Sequence, residues 1–371
     1  MTAARFIPLD GSPGAVAALT RSLEAALDGG PPVLPATTDP GPLGDAGAAA
    51  LVISTSGSTG QPRRVLLSAA ALRASATATA ARLGGPGRWL LALPAEHVAG
   101  AQVIVRSLLA GAAPVVQDLR AGFRPDAFAA VAARTGDGRR YTSLVPTQLA
   151  RLLDDGGAGL DALRGFAAVL VGGAALAAPL RARALAAGVH VVTTYGMSET
   201  AGGCVYDGVP LDGVTVELDG GRIVLGGPTL ADGYLGHPEE TAAVFRDGRF
   251  HTSDLGRIQD GRLEVLGRID DVIVTGGEKV APAAVEAVLT AQPGIRAACV
   301  VGVPDPEWGQ VVAAALVVDP GTDTDAAVAA VQTELGRAGV PRRLRTVAGI
   351  PQRGIGKPDR VAVADLFHSP G

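Results

Sequence analysis

The sequence predicts a large layered α/β domain, then a small antiparallel β unit, then a smaller α+β domain. Three observations predict this order. Up to Tyr195, apolar runs alternate with amphipathic helical patterns, the arrangement that builds a largely parallel sheet covered by helices. After Tyr195 the segments become short, alternating and punctuated by glycine. Beyond Arg268–Asp271 a fresh β-α-β-β-α order begins, about a hundred residues long and of a size usual for a separate domain. The boundary is therefore expected between 1–268 and 269–371.

Helical spacing of apolar residues predicts helices at Pro13–Leu27, Ser68–Leu83, Val98–Ala110, Pro125–Arg134, Thr147–Leu153 and Ala177–Ala187. Between them, short apolar runs predict strands at Leu51–Ile53, Trp89–Ala92, Pro114–Val116, Thr142–Val145, Ala168–Val171 and Val189–Thr194. Alternation predicts the small β unit from Val214–Leu218, Arg222–Leu225, Arg257–Ile258 and Arg262–Leu266. The last domain is expected from Val272–Thr275, Pro282–Ala291, Ala297–Val303, Val311–Val318 and Thr324–Gly336.

Composition narrows the function classes. A chain of 371 residues with only 18% charged residues predicts a folded, soluble protein with a sizeable core. A net charge of −4, with no basic stripe, excludes nucleic acid and acidic membranes as main partners. Cys204 and Cys299 lack metal-ligand spacing and read as reduced thiols in the cytoplasm. The first residues, with Pro8, Asp10 and Pro13, lack the apolar core of a signal peptide. No apolar run reaches membrane-spanning length, so no membrane insertion is expected. A homo-oligomer stays open.

Ser54-Thr55-Ser56-Gly57-Ser58-Thr59-Gly60-Gln61-Pro62-Arg63 follows the strand-like Leu51–Ile53 and precedes a helical pattern. Hydroxyls and closely approaching backbone amides suit a polyphosphate, and glycine removes the Cβ that would obstruct it. The Walker A spacing is absent. Thr194-Tyr195-Gly196-Met197-Ser198-Glu199-Thr200 offers an aromatic ring for a base, hydroxyls for phosphate and a carboxylate suited to Mg²⁺. Those letters alone favour an ordinary exposed strand-turn glutamate. Gly172-Gly173-Ala174-Ala175 follows another strand, where paired glycines let a planar base approach. Asp254, on a turn, could bind both ribose hydroxyls or simply close an Asx turn. Lys357 stands on a glycine-flanked segment, Gly354-Ile355-Gly356-Lys357.

These segments, in this order, resemble the adenylate-forming superfamily of acyl-CoA synthetases and adenylation domains. The resemblance covers most of the chain and implies a large nucleotide-binding domain, shortened at its N-terminus, plus a small mobile C-terminal domain. It implies ATP/AMP contacts at Ser56, Gly57, Ser58, Thr59, Gly60 and Arg63, and at Gly173, Ala174, Ala175, Thr194, Tyr195, Gly196, Met197 and Ser198. Asp254, Arg268 and Lys357 complete that set. Arg63 and Arg64 replace the family's lysine and glycine, which keeps the charge and gains a bidentate donor. Catalytic roles fall to Lys357, Glu199 and Thr59, with Glu199 as the Mg²⁺ ligand and Asp270 as the interdomain hinge. His97, Ser143, Gly172, Gly196, Gly276 and Gly277 match positions lining the acyl and coenzyme A sites. Glu96 stands where the family usually has an aromatic residue, and Ser253 where it has glycine.

The resemblance implies ATP-dependent activation of a carboxylic acid to an acyl adenylate, then transfer to coenzyme A. Thr142–Leu153 and Gly196–Gly208 resemble segments of the 2-succinylbenzoate–CoA ligases of menaquinone biosynthesis. Such a substrate carries two carboxylates, and Arg106 and Arg151 are candidate partners for the second. A ligase for another aryl or fatty acid, an adenylation domain serving a carrier protein and a non-catalytic adenylate-binding protein are the alternatives.

Overall fold

A computed structural model describes residues 3–55, 63–353 and 357–367. It resolves into two compact units. The first comprises the chain up to Ala175, Arg183–Glu217 and Val224–Thr252; the second comprises Leu176–Ala182, Leu218–Ile223 and the chain from Ser253 onward.

The first unit is built on two sheets. The larger has seven strands in the order Val209–Pro210, Gly202–Tyr206, Val191–Met197, Ala168–Val171, Arg140–Leu144, Arg88–Leu91 and Val115–Val116. The last five of these run parallel, as expected from strand-helix alternation, and the first two are antiparallel additions. Ala168–Val171 is buried along its whole length, which is why it reads as an unbroken apolar run. The other sheet runs Arg5–Pro8, Val33–Ala36, Ala49–Thr55, Arg63–Ser68 and Gly233–Tyr234.

That second sheet corrects one expectation. The hydroxyl-rich loop was expected to pass directly into a helix. Instead Arg63–Ser68 returns as a strand, paired antiparallel with Ala49–Thr55 from Thr55↔Arg63 to Ala49↔Ser68. Two arginines at its start hide a strand with only Val65 and Leu67 fully buried. The helix Ala69–Arg82 follows at once, with the Ser68 hydroxyl accepting the Ala71 N–H at 3.2 Å. The strands Arg5–Pro8 and Val33–Ala36 and the helix Ala158–Arg164 are short and weakly periodic, so the sequence pattern does not mark them. Ala69–Arg82 packs on the helix Val98–Leu109.

A smaller sheet holds Thr215–Asp219, Arg222–Gly226, Phe245–Arg246, Arg249–Gln259 and Arg262–Arg268, the β unit expected from glycine-punctuated alternation.

In the second unit, a long antiparallel hairpin pairs Ile295–Asp305 with Gly309–Val318. Period-2 alternation buries both of its faces. Val300, Val312, Ala314 and Leu316 meet Val285 and Leu289 of the helix Pro282–Ala291 and Val331 of Thr324–Gly339. On the other face, Cys299, Val301, Val303, Val311 and Ala313 meet Val363 of the short helix Arg360–Asp365. Each fully buried Val or Leu contributes about 2 kcal/mol of transfer free energy, so the hairpin is the anchor of this unit. Ile273–Thr275 and Glu278–Val280 pair beside it. No helix among the described residues is long and apolar enough to cross a membrane.

Candidate active site

In the first unit the candidate residues gather at the carboxyl ends of neighbouring parallel strands, where ligands bind in open α/β sheets. Ser143 lies near the end of Arg140–Leu144 and is buried. Leu144 is in register with Val171, and Val171 with Thr193. This register sets Ser143, the Gly172–Gly173 turn and Thr194–Met197 side by side. His97 follows the adjacent strand Arg88–Leu91 and occupies the cap position of Val98–Leu109.

Close packing explains several glycines. A Cβ on Gly172 would lie 2.2 Å from Thr194 Oγ1, and one on Gly196 would lie 2.1 Å from the Gly202 carbonyl oxygen. Gly100 is pressed against Pro94, whose carbonyl oxygen would be 2.2 Å from a Cβ. The P-x-x-H-x-x-G spacing around His97 is thus a folding requirement of the turn that presents the histidine.

Glu199 follows the strand Val191–Met197 on a single turn, Ser198–Thr200. The turn is pinned from within: Thr200 Oγ1 accepts the Met197 N–H at 3.0 Å and donates to the Gly202 carbonyl at 2.7 Å. Behind it, the Ala201 carbonyl accepts from Ser75 Oγ at 3.0 Å and Gln102 Nε2 at 2.8 Å, both buried. Glu199 Oε1 accepts the Tyr234 hydroxyl at 2.9 Å. Tyr234 lies beneath the Arg63 guanidinium, 5.4 Å from its ring centroid, and Arg63 in turn meets Glu240 at 2.7 Å. Burial and the neighbouring Glu199 charge push the Tyr234 phenol well above its ordinary value, so it remains a proton donor. Ser56, Gly57, Ser58, Thr59 and Gly60 lie outside the described residues.

In the second unit, Asp254 and Arg268 are register partners on paired strands and bridge at 3.3 Å. Arg268 also meets Asp270 at 2.9 Å. Gly276 and Gly277 take positive φ angles of 56° and 84°, and the Trp308 ring would lie 2.6 Å from a Cβ on Gly276. Lys357 opens the second strand of a two-residue hairpin with Gln352–Arg353 and is exposed.

The two candidate partners for a second carboxylate differ. Arg106 is 6% exposed, stacks on Trp89 at 5.0 Å and donates to the Tyr206 hydroxyl at 3.3 Å, so it is a core residue. Arg151 is exposed on the helix Pro146–Asp155. Burial pushes the Cys204 thiol up to about 12, which leaves it unsuited to nucleophilic chemistry. Among the described residues no group of three or more His, Cys, Asp or Glu side chains could hold a metal alone. A lone carboxylate suits Mg²⁺, which is bound through one or two carboxylates and the phosphates of its substrate.

Sequence reasoning missed Tyr234, Gln102 and Arg360. None stands in a segment with visible chemistry, though Gly233-Tyr234 directly precedes the turn that leads to Glu240.

The AMP-binding enzyme family model matches residues 15–235, and the model of that family's C-terminal domain matches 284–357. The chain belongs to the AMP-binding enzyme family. A family member from Mycobacterium tuberculosis, named a probable 2-succinylbenzoate–CoA ligase, is 50% identical over 325 residues, 86% of this chain and 84% of its own. A feruloyl-CoA synthase from Amycolatopsis is 34% identical over 366 residues, 90% of this chain and 71% of its own. Among solved structures, an o-succinylbenzoate CoA synthetase from Bacillus subtilis, in complex with its acyl-adenylate intermediate, superposes with a TM-score of 0.74. It is 27% identical, covering 86% of this chain and 70% of its own.

Proposed function

We propose that this chain is an AMP-forming acid–thiol ligase that converts 2-succinylbenzoate to its coenzyme A thioester, a step of menaquinone synthesis in the cytoplasm. The observation that carries the reading is the 50% identity, over 86% of the chain, to a relative of that name. In the first half-reaction a substrate carboxylate oxygen attacks the α-phosphorus of ATP. The bond to the bridging oxygen breaks, and pyrophosphate leaves with its electron pair. In the second, the coenzyme A sulfur attacks the acyl carbon after losing its proton, and AMP departs as the leaving group.

The roles assigned to residues are part of the same proposal. Ser56, Gly57, Ser58, Thr59, Gly60 and Arg63 hold the triphosphate, and the Gly173–Ala175 turn with Thr194–Ser198 holds adenine and the α-phosphate. Asp254 and Arg268 bind the ribose. Lys357 bridges the attacking carboxylate and the α-phosphate, offsetting charge as it builds. Glu199 would hold Mg²⁺, which when bound neutralises phosphate charge. His97 and Ser143 face the acid; Gly276 and Gly277 leave a thin path for the pantetheine arm. We place the domain boundary at 268/269 and the hinge at Asp270, about which the C-terminal domain turns between half-reactions.

The test is AMP formation by purified protein with ATP, Mg²⁺ and coenzyme A, against 2-succinylbenzoate, benzoate, a phenylpropanoid and medium-chain fatty acids. Strong preference for 2-succinylbenzoate, dependent on coenzyme A, is expected. Preference for the phenylpropanoid would instead favour a second reading, an aryl-acid ligase, which the 34% identity to a feruloyl-CoA synthase supports.

A further inference from the structure

Lys357 has little of its own to hold it in place. It lies on a hairpin of two residues per strand, and so small a hairpin is not stable alone. The helix after it, Arg360–Asp365, is only six residues long and would not persist in isolation either. What fixes both is a set of contacts around Arg360, at the first position of that helix. The Asp359 N–H donates to the Pro351 carbonyl at 2.8 Å, closing the base of the hairpin. Asp359 then caps the helix, accepting from the Ala362 N–H at 3.2 Å.

Arg360 extends from this cap into the second unit. Its Nε lies 3.1 Å from Asp271 Oδ2, in the turn Ile269–Asp271 next to the proposed hinge residue. Its Nη1 lies 2.7 Å from Glu286 Oε1, and Nη2 lies 3.3 Å from Glu286 Oε2. Nη1 also donates to the Val300 carbonyl of the anchoring hairpin, at 2.5 Å. Glu286 Oε1 accepts the Val300 N–H at 2.8 Å as well. One guanidinium therefore joins the lysine segment, the turn Ile269–Asp271, the helix Pro282–Ala291 and the edge strand Ile295–Asp305. The three charged side chains are 27%, 28% and 19% exposed, so the cluster is shielded far more than a surface ion pair.

We propose that Arg360 is a positioning residue that locks the lysine hairpin to the hinge turn, so that Lys357 and Asp271 move as one body. Val363, with Ala364, Leu366 and Phe367, gives the helix an apolar anchor, but apolar burial is non-directional and does not by itself set the register of the lysine segment. The fork of Arg360 sets that register, because two carboxylates and a carbonyl constrain a planar group in more than one plane. The inference rests on reading Lys357 as the adenylation lysine and Asp270 as the hinge. Adenylation needs Lys357 held against the reacting oxygens, and a misplacement of about 1 Å costs about a hundredfold in rate. Thioester formation takes place with Lys357 withdrawn and is indifferent to the lock.

The experiment compares wild type, Asp271→Asn and Arg360→Lys in the full chain, since Arg360→Met would strand two carboxylates and threatens folding. Hydrogen exchange is followed by mass spectrometry over residues 352–366, alongside the separate half-reactions. In Asp271→Asn, amides of the lysine hairpin should exchange about tenfold faster at an unchanged melting temperature. The adenylation kcat should fall about tenfold with the ATP KM unchanged, and thioester formation from supplied acyl adenylate should hold. Arg360→Lys, keeping one ion pair at a time, should show the same pattern. Unchanged hairpin exchange in both variants overturns the coupling. Equal loss in both half-reactions reduces Arg360 to a structural residue. If wild type fails to activate 2-succinylbenzoate, the functional reading fails, and hydrogen exchange still decides the coupling.

Discussion

The Tyr234 hydroxyl donates to Glu199 Oε1 at 2.9 Å, tying the carboxylate of one sheet to an edge strand of the other. Tyr234 reaches this position because Gly233–Tyr234 pairs with Leu66 and Val65, directly after the hydroxyl-rich loop. The bond fixes one oxygen of Glu199, the carboxylate proposed to hold Mg²⁺. A hydrogen bond to a charged group contributes about 1.5–3 kcal/mol. Tyr234→Phe should therefore weaken binding of Mg²⁺ with a non-hydrolysable ATP analogue by about tenfold or more, read by calorimetry. An unchanged dissociation constant would remove Tyr234 from the site.

Replacing Lys357 with Ala should abolish adenylation, read as pyrophosphate exchange. Thioester formation from supplied acyl adenylate should stay largely intact, because the role proposed for the lysine is confined to the step where charge builds on the α-phosphate. Equal loss of both steps would contradict the role given to Lys357.

Asp270→Pro fixes φ in the turn Ile269–Asp271 and removes the carboxylate that meets Arg268 at 2.9 Å. Adenylation should survive while thioester formation falls, as a stiffened hinge blocks the second arrangement. Unaltered overall turnover would place the hinge elsewhere.

Gly172→Ala drives a Cβ to within 2.2 Å of Thr194 Oγ1. Overpacking of this kind costs about 1–3 kcal/mol. Removing the obstructing hydroxyl in a Gly172→Ala, Thr194→Ala double variant should recover part of that loss. Additive destabilisation in urea melts would show that the contact does not govern the site.

Burial raises the Cys204 and Cys299 thiols from their ordinary value of 9.0 to about 12. The unfolded chain loses these protons first, so the thiols' contribution to stability is full below pH 9. It is lost as pH climbs toward 12. In the folded protein neither thiol should react with iodoacetamide at pH 8, and both should react in denaturant. Rapid labelling of the native protein would contradict their burial.

Periodicity made the larger elements legible. The parallel strand Ala168–Val171 is apolar along its length because both of its faces are covered. The long hairpin of the second unit alternates Val300 and Val301 between two cores. Resemblance to family motifs, rather than local chemistry, singles out Glu199, Asp254, Arg268 and Lys357 as candidates, since by themselves Glu199 reads as a strand-turn carboxylate and Asp254 as an Asx turn. The strand Arg63–Ser68 is not legible in the sequence, because its opening arginines break the apolar pattern, and its pairings with Ala49–Thr55 and Gly233–Tyr234 are what mark it as a strand.

The layered architecture, the order of the motifs and the chemistry those motifs can support are all legible along the chain. Such properties depend on residues close together along the chain, where periodicity and turn preference act. Three-dimensional packing is what makes Arg106 a core residue rather than a free cation, sets the Tyr234 hydroxyl on Glu199, and lets Arg360 join the lysine hairpin to the turn Ile269–Asp271. These contacts span residues far apart in the chain. Their energy comes from shared burial and register, which no local pattern of letters encodes.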